Sequence, residues 1–148
     1  MRNLQSMTAK NIATSKPPLV ETLLAKGFRL SGSRLLGTWH DNSDWDLYAE
    51  YTDEVSKELE LLRFQKIKGA GYDDDENTVA IFEAYDFSGE VQVLVQVSLV
   101  TNVQAKANIL ELLMNNEDWR EHDRLLKGTT ARNKFWNFLF GLQKDLPG

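Results

Sequence analysis

The tightest constraint in this chain is a short stretch that joins a glycine turn to two acids. Gly32-Ser33 follows the apolar strand candidate Phe28-Arg29-Leu30. Ten residues then separate Ser33 from Asp44-Trp45-Asp46, which opens a second strand candidate reaching Tyr51. Successive side chains of a strand face opposite ways, so Asp44 and Asp46 point to one side while Trp45 and Leu47 point to the other, toward a core. Two carboxylates held on one face repel each other unless positive charge lies between them. A hard divalent cation such as Mg²⁺ meets that need, taking oxygen ligands and keeping positions open for substrate phosphates. The Gly-Ser turn supplies the complementary half. Glycine lets the backbone approach a phosphate closely, and amide hydrogens opening a following helix favour an anion.

Taken together, Gly32-Ser33, the spacer, Asp44-x-Asp46 and the apolar residue after it resemble the signature of the nucleotidyltransferases of the DNA polymerase beta superfamily. Arg34, Gly37 and the ending Asn42-Ser43-Asp44-Trp45-Asp46 are similar in style to its small stand-alone bacterial and phage members. The order helix, strand, motif, strand, helix, hairpin extends the resemblance over residues 17–98. It implies an α+β fold, a small mixed or antiparallel sheet of about four strands with helices packed on it. It also implies Mg²⁺ or Mn²⁺ on Asp44 and Asp46, with Gly32, Ser33 and Arg34 on the triphosphate. The implied activity is transfer of a nucleoside monophosphate from a nucleoside triphosphate to an acceptor hydroxyl, releasing pyrophosphate. Among such small members the acceptor is a protein, a tRNA or a small molecule, and some belong to toxin–antitoxin pairs.

The family usually carries a third carboxylate early on a later strand, between two apolar residues. The matching slot here, Val91-x-Val93, holds Gln92. Glutamine lends a metal an oxygen but no charge, so Gln92 is expected as a metal ligand and Glu90, two residues back on the same face, as the catalytic acid beside Asp44 and Asp46. Glu83, on the preceding strand, is a more distant substitute. The departure keeps a second reading open: a nucleotidyltransferase-like fold that has lost its chemistry and acts as a binding or inhibitory partner, in a toxin–antitoxin or phage–host setting.

Composition narrows the classes. A chain of 148 residues suits one domain with a proper core. The net charge of −5 and pI near 5.1 argue against a general DNA or RNA binder, which carries a basic face. Without cysteine there is no disulfide frame, zinc–thiolate site or thiol nucleophile. No apolar run is long enough to span a membrane, and residues 1–16 lack the apolar core of a signal peptide, so a soluble cytoplasmic protein is expected.

Residues 1–16 read as a polar arm and 17–148 as a single domain. Pro17-Pro18 starts a helix that Gly27 stops. Thr52-Asp53-Glu54 caps a second, whose stripe Val55, Leu59, Leu62 and Ile67 predicts a helix running on to Gly69. Asp73-Asp74-Asp75-Glu76 is expected to be a solvated loop. Residues 78–85 and 90–98 read as a hairpin around Asp86-Phe87-Ser88-Gly89. Val103, Ala107, Leu110 and Met114 mark a further helix, Asp118 is expected to cap the next, and residues 131–144 form an aromatic last helix. That helix either completes the core or serves self-association. Trp39 is expected to be free to stack on a base and His40 to be solvated. Bases outnumber acids from Trp119 onward, a distribution that either guides a triphosphate or is plain surface asymmetry.

Overall fold

The computed structural model describes residues 16–39, 43–67, 76–89 and 91–144. The expectations for His40, for Asp73-Asp74-Asp75, for Glu90 and for most of the N-terminal arm fall outside these residues. Five strands form one mixed sheet. They are β1 (Arg29–Ser31), β2 (Trp45–Glu50), β3 (Gln65–Ile67), β4 (Thr78–Asp86) and β5 (Val93–Val100), lying side by side in the order β1-β2-β5-β4-β3. β2 and β5 run parallel, and every other neighbouring pair is antiparallel. The expected α+β fold is therefore present, with one strand more than the sequence suggested.

Helices cover both faces. Helices α1 (Pro18–Ala25) and α3 (Asp53–Leu61) lie on one, where Leu23 and Leu59 pack with Trp45, Leu47, Phe82 and the Val95-Val97-Leu99 face of β5. On the other lie α2 (Gly32–Leu36), α4 (Val103–Met114), α5 (Glu117–Leu125) and α6 (Thr130–Lys144), whose core joins Leu36, Tyr48, Leu110, Trp136 and Leu139. Trp45 goes to the first core as alternation required. The last helix is built mainly into the second core, leaving Phe138 exposed. Among the described residues no helix is long and apolar enough to cross a membrane.

The fifth strand lies where the sequence predicted more helix. Helix α3 stops at Leu61 because Arg63 takes a left-handed conformation, φ 68°. The Phe64 amide then donates to the Leu59 carbonyl at 2.9 Å and Arg63 to Glu60 at 3.0 Å, the paired bonds of a Schellman ending. Helix α1 ends the same way: Phe28 donates to Leu23 and Gly27 to Leu24. Each ending turns a phenylalanine into the first core and launches a strand, β1 or β3. One other boundary shifts. Asn116, and not Asp118, caps α5 by accepting from the Trp119 amide, and Thr52 caps α3 as expected. In the β4–β5 turn, Asp86 Oδ2 also accepts from Leu19 N–H at 3.0 Å, capping α1 across the sheet edge.

Candidate functional site

Asp46 is set between two core residues, Trp45 and Leu47, so its side chain must leave β2 on the face away from α1 and α3. Backbone pairing then fixes its neighbours. Ser31 of β1 lies opposite it on one side and Gln96 of β5 on the other, with Glu83 of β4 beyond Gln96. Gly32 closes over the carboxylate. A Cβ at Gly32 would stand 2.9 Å from Asp46 Cβ and closer still to Oδ2, and the residue has φ +66°. Only glycine fits on both counts. Gly32 is thus needed by the acid as much as by any ligand.

Asp44 and Asp46 open into one cavity of about 330 Å³. Gln96 and Ser98 of β5 line it, and so do Lys106 of α4, Lys127 and Arg132. Burial pushes the Asp46 carboxyl above the usual carboxylate range and the charge on Asp44 pushes it further. The charges of Lys106, Arg132 and Lys127 draw it down without cancelling the rise. Two acids and three cations therefore share one concave space.

Two of the cations, Lys106 and Arg132, are held against the second core. Lys106 is itself buried, with Nζ 5.2 Å from the centre of the Tyr48 ring and 5.8 Å from that of Trp136. Such aromatic faces stabilise an ammonium group taken out of water. Arg132 Nε donates to Asp123 Oδ1 at 3.0 Å, and Trp136 Nε1 donates to the same oxygen at 2.7 Å. Asp123 is 3% exposed, so it fixes the Arg132 guanidinium from behind while Arg132 lines the cavity.

The other expected site residues are distributed differently. Ser33 and Arg34 are not among the residues lining this cavity. The Arg34 guanidinium lies 4.8 Å from the Trp39 ring centre and 4.6 Å from that of Trp45, and donates to the Ser43 carbonyl at 2.9 Å. It thus contacts Trp39 and the residue just before Asp44, so Trp39 is already engaged. Gln92 lies ahead of β5, four residues before Gln96. It lines a neighbouring cavity that shares Asp44. The residue beside Asp46 in the sheet is Gln96, again an amide and not an acid.

Gln96, Ser98, Lys106 and Arg132 were missed by reading the sequence, although a signal for one was present. Lys106, Ile109, Leu110 and Leu113 recur at the spacing of a single buried helix face, and all four are buried. A lysine in such a stripe needs a reason to be there.

Asp44 and Asp46 offer carboxylate oxygens on one face, and Gln96 places an amide next to Asp46. Among the described residues no cluster of three acids, histidines or cysteines joins them. That donor set fits Mg²⁺ brought in on a phosphate chain, which asks the protein for only one or two carboxylates. It does not fit an ion caged by protein alone. Compared with known proteins, the chain matches no family model, no curated protein and no solved structure.

Proposed function

We propose that this chain is a nucleotidyltransferase of the type seen in the DNA polymerase beta superfamily, transferring a nucleoside monophosphate from a nucleoside triphosphate to an acceptor hydroxyl. The observation that carries this reading is the gathering of Asp44, Asp46, Lys106, Lys127 and Arg132 around one cavity that Gln96 and Ser98 also line. The three cations suit the phosphate chain, since a charge-assisted bond to phosphate is among the strongest a side chain makes. Arg132, braced by Asp123, presents a fixed fork, and Lys106 a point charge held by two rings. Asp44 and Asp46 would hold Mg²⁺ or Mn²⁺ jointly with the phosphates. That ion supplies Lewis-acid stabilisation of the phosphate oxygens. In the net reaction the acceptor oxygen bonds to the α-phosphorus, the bond to pyrophosphate breaks, and the hydroxyl proton is lost to solvent. Protein, tRNA and small-molecule hydroxyls all suit this chemistry, and we place it in the cytoplasm, where nucleoside triphosphates are held.

The test is twofold. Mg²⁺ with a nucleoside triphosphate should raise the melting temperature more than either does alone, and Asp46→Asn should abolish the gain while the fold persists. Labelled nucleoside triphosphates incubated with the protein, Mg²⁺ and a cell extract should then leave label on protein or RNA. A full ligand response in Asp46→Asn would overturn the site. A second reading is favoured by one observation, the amide of Gln96 where negative charge beside Asp46 would strengthen the metal. On that reading the chain binds nucleotide and regulates a partner without turnover, and label is never transferred although the thermal response persists.

A further inference from the structure

A second cavity, of about 230 Å³, adjoins the first and shares Asp44 with it. Its chemistry is the opposite. Tyr85, Val91, Val93 and Leu94 line it together with Ser43 and Gln92, and no lysine, arginine or histidine is among its described lining residues. Tyr85 lies directly across the β4–β5 pair from Leu94, on the sheet face that carries Gln96. Tyr85 is 48% exposed, and Phe87, 70% exposed, lies 6.2 Å from it between ring centres. Val91 is 66% exposed. Three large apolar side chains are therefore left in water at one end of the sheet, and two of them, Tyr85 and Val91, line the cavity that reaches Asp44. An uncovered apolar group of this kind is a mark of a binding surface.

We propose that this second cavity receives a planar heteroaromatic ring of the nucleobase class, stacked on Tyr85 with its polar edge against the Gln92 carboxamide. The inference rests on the nucleotidyl-transfer reading and adds to it the recognition of the uncharged part of a substrate. A phosphate is disfavoured by the lack of cations among the described lining residues, and an aliphatic chain would leave the Gln92 amide unmatched. A nucleobase offers both a face to stack and donors and acceptors at its edge. Asp44, as the shared wall, sets the ring next to the phosphate cavity. The ring belongs either to the donor nucleotide or to the acceptor, and both sources present the same chemistry.

The experiment uses the full chain, with NMR of the Tyr85 ring and the Gln92 side-chain amide as local reporters. Adenosine should shift both, and Tyr85→Ala should weaken its binding about 5- to 150-fold, the usual worth of one stacked base. Tyr85→Phe should retain most of the affinity, and Phe138→Ala, at an exposed ring on α6, should change nothing. Saturation with ATP and Mg²⁺ distinguishes the sources. Adenosine still binding at Tyr85 assigns the ring to an acceptor, and competition assigns it to the donor. The proposal is overturned if millimolar adenosine leaves both reporters unmoved, if Tyr85→Ala binds it as well as wild type, or if glucose binds there in its place. Tripolyphosphate with Mg²⁺, followed at the Gln96 amide, separates the two claims. A response there, with adenosine leaving Tyr85 and Gln92 unmoved, would end this inference and leave the transfer reading standing.

Discussion

Gly32→Ala isolates the contact on which the acidic pair depends. Two costs act at that position. A residue with a Cβ in the left-handed region carries roughly 1–2 kcal/mol of strain. The new methyl would also meet Asp46 Cβ at 2.9 Å and Oδ2 closer still, an overpacking that costs about 1–3 kcal/mol if backbone or acid must move. Gly37 is the internal control: it has φ +78° and nothing within 4 Å of an added Cβ, so Gly37→Ala carries the strain alone. Urea unfolding at pH 7 should therefore show Gly32→Ala destabilised beyond Gly37→Ala by about 1–3 kcal/mol with an unchanged m-value. A double-mutant cycle with Asp46→Gly, which removes the atoms struck, should recover most of that excess as coupling. Equal losses for the two alanines, or zero coupling, would refute the view that the glycine exists to seat the carboxylate.

Three further outcomes are expected. Because burial and Asp44 raise Asp46 in the folded state, its contribution to stability is fully present below the unfolded carboxylate pKa and is lost as pH rises through the raised folded value. Asp46→Asn should remove that segment of the pH–stability curve, so a curve unchanged in shape would contradict it. Arg63→Gly should stabilise by about 0.5–1 kcal/mol, the left-handed strain relieved less the entropy that glycine adds to the unfolded chain, and calorimetry that finds a loss would count against the Schellman ending of α3. Trp136→Ala should cost about 3–5 kcal/mol because the indole is buried and bonded to Asp123. A variant of normal stability but altered elution in size-exclusion chromatography would instead favour self-association through α6.

What could be read in the sequence was what depends on nearby residues. Alternation alone put Asp44 and Asp46 on one side and Trp45 in the core, and the Thr52 cap and the β4–β5 turn were visible in their own few residues. Gln96 escaped because its face along β5 was readable but its register against β2 is set by pairing across fifty positions. Strand β3 escaped because its start depends on a left-handed arginine where the matching ending of α1 has a glycine. The cations escaped for a third reason. The helical stripe marks Lys106 as facing inward, but not the rings of Tyr48 and Trp136 that receive it, which belong to other elements.

The parallel pairing of β2 with β5 has a consequence for how the protein comes to possess a site at all. These strands are neighbours in the sheet, yet a helix, an edge strand and β4 intervene between them along the chain. Closing so long a loop costs entropy before any contact repays it, which makes this pairing a slow, late event in folding. Asp46 and Gln96 meet only when it is complete. A chain stopped short of β5, or paused before it during synthesis, therefore has both acids without Gln96 and Ser98. Ligand affinity at this cavity should consequently appear in step with the slowest folding phase, and partly folded forms should not sequester nucleotide.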